Sequence, residues 1–284
     1  MTPPAGGGRL VVVGTPIGNL ADLPQRAADA LREADVVACE DTRHTGTMLA
    51  RCGIAPRRLL SLHEHNEASR VPQVLDLLAG GFTVAVVSDA GMPTVSDPGA
   101  RLVAAVAGAG FAVTVVPGPS AAVAALAVSG LAEERFVFEG FLPRRGAERA
   151  ARLSVVASST CPSVLYEAPS RVAATVADLL AACGGSRQVA VCRELTKLHE
   201  EVWRGSLAAA GASAAVKAAR GEYVLVVDGA PAAAAVAPEV VEEALAALLA
   251  AGSSRRDAVE AVASELGVRR RAVYEAALRL DPGR

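Results

Sequence analysis

Aromatic side chains are scarce in this 284-residue chain, which has five Phe, three Tyr and one Trp. That excludes a nucleic-acid reader built on rows of stacked bases, which needs many exposed rings. Lysine is rarer still, with Lys197 and Lys217 alone among many arginines. No strong charge excess is present: 28 basic residues face 30 acids, a formal net charge of −2. Any polyanion must therefore be met by local patches rather than by the surface as a whole. The five cysteines, Cys39, Cys52, Cys161, Cys183 and Cys192, are odd in number and lack C-x-x-C spacing, so buried free thiols are expected rather than a disulfide framework. No apolar run reaches membrane-spanning length. "MTPPAGGGRL" lacks a basic stretch ahead of an apolar one, so no secretory signal is expected and the expected location is cytoplasmic.

What is abundant is small and apolar, with hydrophobic residues at 52% and alanine prominent among them. Through the first hundred or so residues, short apolar runs alternate with helical patterns: "RLVVVG", "DLPQRAADALREA", "DVVACE", "HTGTMLARCG", "RLLSLH", "ASRVPQVLDLLAGG" and "TVAVVSD". This is the βαβ pattern of a largely parallel sheet covered by helices. "FAVTVVPGPSA" adds a strand and a turn, after which Ser120 caps an Ala-rich helix. A second series starts near Phe136: "RFVFEGFLP", a helix around 147–157, "SVLYEAP", a helix over 172–182, "QVAVCREL", a helix over 207–219, and "EYVLVVDG". "APAAAAVAP" reads as a linker. In the helical tail, Ala263, Gly267 and Val273 fall at the small, turn and apolar positions of a helix-turn-helix, flanked by Leu266 and Val268. The expected organisation is an α/β domain over 1–117, a second over 118–230, and a linker with a helical module over 231–284.

"VVSDAGMPTVSDPG" lies where a buried strand runs out of its sheet. Its second half has an ordinary explanation: Asp97 is a good N-cap and Pro98 suits the first helical position. Its first half places Asp89 before small Ala90 and Gly91, which let backbone approach a ligand closely, so "DAGMP" is the candidate site. "GTPIGNL" follows the first strand but is neither G-x-G-x-x-G nor a P-loop, which disfavours nicotinamide and nucleoside triphosphate cofactors. "CEDTRHTGTML" brings Glu40, Asp41, Arg43 and His44 to the end of the second strand, with Asp41 or Thr42 also readable as a helix cap. In open parallel sheets ligands gather outside the carboxyl ends of strands, where these three loops belong. "LHEHNE" lacks zinc-binding H-E-x-x-H spacing, and no metal site is expected. Ser120 lies outside the G-x-S-x-G nucleophile pattern. "FLPRRGAERAAR" offers Arg144, Arg145, Arg149 and Arg152, readable as a solvated face or as a phosphate-contacting patch.

Taken in order, "TPIGNL", "EDTRHTG", "HEHNE", "VSDAGMPTVSDPG", "VPGPSA", "EGFLPR", "YEAPSR", "RELTK" and "GEYVLVVDG" resemble the tetrapyrrole methylase superfamily over residues 10–229. The acidic "EDTRHTG" block resembles its ribosomal RNA methyltransferase branch. The resemblance implies a homodimer of two α/β domains per subunit, with S-adenosylmethionine in the cleft between them. The implied reaction methylates a cytidine ribose 2′-hydroxyl in the decoding region of small-subunit (16S) ribosomal RNA, free or in the 30S subunit. By motif, Pro16, Asp89, Gly91, Met92, Pro93, Ser120, Ala121, Tyr166 and Glu167 would bind the cofactor. Met92 stands where the branch commonly has threonine. Methyl transfer from a sulfonium is an in-line displacement, so alignment is the main demand, and a base or polarising cation would assist the hydroxyl. Candidates for that role are Glu40, Asp41, His44 and Lys197. Arg43, Arg144, Arg145 and Lys197 are the candidate RNA contacts, with Arg269, Arg270 and Arg271 of the tail as possible additions. A corrin-pathway methyltransferase of the same fold and a non-enzymatic nucleic-acid-binding regulator are the alternative readings.

Overall fold

Valine-rich runs such as "RLVVV" and "TVAV" are apolar and buried at every position after the first, as strands covered on both faces must be. The structure, a computed structural model, describes residues 7–231, 237–266, 268 and 270–280. Five of these runs form one sheet: β1 (Arg9–Val13), β2 (Val36–Cys39), β3 (Leu59–Ser61), β4 (Thr83–Val86) and β5 (Ala112–Val116), in the order β3-β2-β4-β1-β5. Every pairing in it is parallel. Helices α1 (Gln25–Glu33), α2 (Thr42–Arg51), α3 (Glu67–Ala79) and α4 (Ala100–Gly108) are the crossovers. Two apolar clusters cover its faces, one around Leu31 and Leu49, the other around Leu78 and Leu102. Because β2, β4 and β1 are neighbours, the loops that leave their carboxyl ends are neighbours too.

After α5 (Ala121–Ser129), the second sheet contains β6 (Val137–Phe141), β7 (Ser163–Glu167), β8 (Gln188–Arg193), β9 (Glu201–Ser206) and β10 (Tyr223–Val227), ordered β6-β7-β10-β8-β9. Only β6 and β7 run parallel; the other pairings are antiparallel. Helices α6 (Ala147–Ser158) and α7 (Val172–Cys183) flank it. Ser120 caps α5 by accepting from the Val123 N–H, as its sequence predicts. The second half holds one strand that the sequence reading does not include and one helix that needs correction. "EVWRGS" is a strand: β9 is an edge strand, where charged side chains find partners without leaving the ladder, Glu201 accepting from Arg193 and Arg204 donating to the Ser129 carbonyl. The helix expected over 207–219 is instead two short ones, α8 (Leu207–Ala210) and α9 (Ala214–Lys217), separated at Gly211.

The chain divides into two compact units, Met1–Ala230 and Pro231–Arg284, so both sheets belong to the first. In the second, α10 (Pro238–Ala250), α11 (Arg255–Leu266) and α12 (Arg270–Leu280) enclose a core of Val241, Leu245, Val259, Val262 and Val273. Arg270 pairs with Glu260 and Arg271 with Glu275. Linker residues 232–236, the turn residue Gly267, Arg269 and Arg284 lie outside the described residues. No helix among the described residues is long and apolar enough to cross a membrane.

The start of α4 is the main departure from the sequence reading. Asp97 does not cap it. Gly99, at φ 121°, is the cap residue, and the open amides of Gly99 and Leu102 donate to the Glu67 carboxylate at 3.1 and 3.0 Å. Glu67 comes from "HEHNE" and is 6% exposed. Glu67→Ala strands two buried amides and is expected to cost about 1–3 kcal/mol, with Glu67→Gln, which keeps an acceptor, costing less. Thermal unfolding of the two variants checks this order.

Candidate functional site

Three loops meet at the carboxyl edge of the first sheet. Thr15 and Gly91 exchange backbone hydrogen bonds, Thr15 N–H to Gly91 O at 2.8 Å and the reverse at 3.2 Å, zipping "TPIGNL" to "DAGMP". Gly91 has φ 82°, a conformation that favours glycine. A Cβ on Gly14 would lie 2.6 Å from Gly118 Cα and 2.7 Å from Met92 Sδ, so "GPSA" seats against the first loop only because both positions are glycine. Asp41 N–H reaches Asp89 Oδ1 at 3.4 Å, linking the loop after β2.

Two cavities flank this junction. The compact one, about 370 Å³, lies between the sheets and is of ligand-binding size. The first half of the chain contributes Asp89, Gly91, Met92, Asp97, Ser120 and Ala121 to its walls; the second contributes Phe141, Tyr166 and Glu167. The wider one, about 1030 Å³, is lined by Pro16, His44, Thr47, Arg51 and Lys197 among others. Ile17, Asp89, Ala90 and Glu222 belong to both.

Seven of the nine residues expected at the cofactor therefore line the compact cavity. Pro16 lines the wide one, and Pro93 is buried and lines neither. Glu167 lines the cavity with its carboxylate turned into the wall. Its side chain is 0% exposed, and its carboxylate accepts from Thr175 Oγ1 at 2.5 Å and the Ala168 N–H at 2.9 Å, with Arg171 Nε at 3.3 Å. It supports the wall. The Tyr166 hydroxyl accepts from the Ala122 N–H at 3.2 Å, pinning the start of α5, and burial pushes its pKa up. Phe138 and Phe141 meet Tyr166 edge to face at 5.0 and 5.6 Å, and Phe141, Tyr166 and Tyr223, three of the few aromatic residues, line this cavity.

Of the candidates for handling a proton, His44 and Lys197 line the wide cavity, while Glu40 and Asp41 line neither. Asp41 is committed to capping α2, accepting from the amides of Arg43 at 2.8 Å and His44 at 3.3 Å. Those bonds hold its carboxyl below the usual range, which unsuits it as a base. Lys197 donates to Glu194 at 2.9 Å and Glu222 at 2.7 Å. Burial opposes its charge, but these two carboxylates outweigh burial and raise its pKa; it is a cation, not a proton acceptor. Glu40 is pushed up by burial and then by Asp89. Among the described residues no group of three or more His, Cys, Asp or Glu is placed to hold a metal ion.

The arginines divide. Arg43, Arg144 and Arg145 are exposed. Arg149 is buried against Asp178 and Thr175, so it is not open to a phosphate, and the partly exposed Arg152 is paired with Glu139. Two residues escape the sequence reading. Arg51 shares one face of α2 with His44 and Thr47, an i, i+3, i+7 spacing visible in "HTGTMLAR". Asp97 points its chemistry at the compact cavity, where burial, then Glu40, then Asp89 push its carboxyl up to about 7.

A parallel sheet with its ligand loops at the carboxyl edge, facing a mixed sheet across a cavity, defines a methylase of the tetrapyrrole type. The family model for Tetrapyrrole (Corrin/Porphyrin) Methylases matches residues 9–211. The chain is 42% identical to the ribosomal RNA small subunit methyltransferase I of Synechocystis sp., over 96% of this chain and 99% of that protein. It is 46% identical to the Mycobacterium tuberculosis protein of the same name, over 95% of each. Among solved structures, a cobalt precorrin-4 methyltransferase superposes with a TM-score of 0.60 at 17% identity, covering 79% of this chain and 95% of that one. The methyltransferase CobJ superposes at 0.60 and 24% identity, covering 78% and 95%; these likenesses show the fold. The chain belongs to the tetrapyrrole methylase family and, within it, to the ribosomal RNA small subunit methyltransferase I branch.

Proposed function

We propose that the protein transfers a methyl group from S-adenosylmethionine to small-subunit (16S) ribosomal RNA, at a cytidine ribose 2′-hydroxyl in the decoding region. It works in the cytoplasm as the homodimer that the resemblance implies. One observation carries the reading: a carboxylate-lined cavity of ligand size shares a wall with a wide cavity bearing His44, Arg51 and Lys197, in a chain 42–46% identical to proteins named for this RNA.

The residues present fit the donor. Asp89 and Asp97 match a positive charge, and no lysine, arginine or histidine among the described residues lines the compact cavity. Phe141 and Tyr166 offer a face to a purine, and Ala90, Gly91 and Ala121 permit close backbone approach. When bound there, S-adenosylmethionine supplies an electrophilic methyl group. The chain's own part is alignment at the shared wall, where Asp89 touches both cavities. His44 is the proposed acceptor for the hydroxyl proton, with Lys197 as a polarising cation or phosphate contact. Arg43, Arg51, Arg144 and Arg145 are the proposed backbone contacts for a substrate held by charge and shape rather than by stacking.

Incubating the purified protein with methyl-labelled donor and small ribosomal subunits, free 16S RNA, large subunits or a precorrin tests the reading. Label is expected in a single cytidine ribose of small-subunit RNA. Label in the precorrin alone, or in no substrate, would contradict it.

A further inference from the structure

The compact cavity holds more negative charge than a ligand of no net charge calls for. Asp89 and Asp97 line it from one loop, and no ion pair among the described residues reaches either of them. The other acids on its wall are matched: Glu167 has Arg171 beside it, and Glu222 has Lys197. The build of the loop keeps Asp97 available. Thr94 and Ser96, at φ 73° and 64°, take a left-handed backbone that non-glycine residues adopt only at a cost. Because Glu67 caps α4, the Asp97 carboxylate is not used up at the helix start, where its sequence context would otherwise put it.

We propose that Asp97, together with Asp89, makes this cavity charge-selective, so that it holds the sulfonium donor and releases the thioether left after methyl transfer. The inference rests on the donor reading above and adds a discrimination to it. S-adenosylmethionine carries one more positive charge than S-adenosylhomocysteine, and the two are otherwise nearly the same shape. A cavity that ignored charge would bind both alike and be blocked by its own product. Two unpaired carboxylates in a half-buried, low-dielectric setting reward the extra charge and repel each other once it is gone.

The discrimination has a pH dependence with a fixed sign. The groups that face Asp97 are Glu40 from the end of β2, Asp89 from the end of β4 and Tyr166 from β7. Burial, then Glu40, then Asp89 resist its ionisation, while Tyr166 stays protonated, its own pKa raised by burial and by Asp97. With its carboxyl near 7, Asp97 is mostly protonated at about pH 6 and mostly charged at about pH 8. Preference for the donor therefore increases as the pH rises through neutrality.

Calorimetric dissociation constants for S-adenosylmethionine and S-adenosylhomocysteine, at about pH 6 and about pH 8, test the proposal in the wild-type chain, Asp97→Asn and Glu40→Gln. The wild-type preference for the donor is expected to rise roughly three- to tenfold over that interval. In Asp97→Asn it should be smaller and flat, with thermal unfolding confirming that the variant is folded. Glu40→Gln removes a like charge and should move the rise to lower pH. The donor's own amine titrates identically against all three proteins and cancels in the comparison. A preference that is flat in the wild type, or equally steep in Asp97→Asn, overturns the proposal while leaving donor binding intact. Failure of both ligands to bind overturns the donor reading itself, and this inference with it.

Discussion

Asp89→Asn is expected to weaken S-adenosylmethionine binding by roughly 10- to 100-fold and to lower methylation of small-subunit RNA by at least as much. The magnitude follows from losing one charge-assisted contact, about 1.5–3 kcal/mol. Asp89 is singled out over its neighbours because it alone among the acids of the β4 loop lines both cavities. A change there acts on the ligand and on the alignment of the acceptor oxygen together. The fold should be untouched: Asp89 is half-buried, and its hydrogen-bond partner among the described residues is the Asp41 amide at a long 3.4 Å, which asparagine Oδ1 can still accept. A melting temperature within a few degrees of wild type, measured beside the binding isotherm, separates this outcome from unfolding.

The second large effect falls on stability. Arg149 is a surface arginine by sequence but is 9% exposed. Its guanidinium donates to Asp178 Oδ2 at 2.7 and 2.9 Å, to Thr175 Oγ1 at 2.9 Å and to Pro143 O at 2.9 Å. Thr175 in turn holds the buried Glu167 carboxylate at 2.5 Å, behind the cavity wall. Breaking a buried pair costs about 3–5 kcal/mol; because Asp178 is 44% exposed, Arg149→Ala belongs at about 3 kcal/mol. For a chain of this size the melting temperature should fall by roughly 6–12 °C. Arg149→Lys should recover little, since one ammonium cannot replace a planar fork that serves three acceptors. Differential scanning calorimetry of both variants checks the order.

Much of the site is legible in the sequence because a parallel sheet puts the ends of its strands on one edge. "TPIGNL", "EDTRHTG" and "DAGMP" follow β1, β2 and β4, and strand order makes them neighbours. Glycine spacing is legible for the same reason: Gly14, Gly91 and Gly118 stand where backbones approach closely. What stays hidden depends on partners distant in the chain. "SDPG" carries every local sign of a capped helix, yet Glu67, more than thirty residues earlier, takes the cap and turns Asp97 over to the cavity. Glu167 looks like an open acid until Thr175 and Arg171 close around it. Arg149 and Arg152 look solvated until Asp178 and Glu139 arrive from other elements. β9 is obscured by its charges, which an edge strand tolerates and a central one does not. Arg51 is the exception, since helical spacing alone places it beside His44.

The central claim is that a cavity between two sheets takes a sulfonium methyl donor on the Asp89 loop. Calorimetric titration of the folded wild-type chain and of Asp89→Asn with S-adenosylmethionine tests it most directly. The expected result is saturable binding at one donor per chain, weakened in the variant. No heat of binding to the wild type, with tight binding of a nicotinamide dinucleotide or a nucleoside triphosphate in its place, would contradict it.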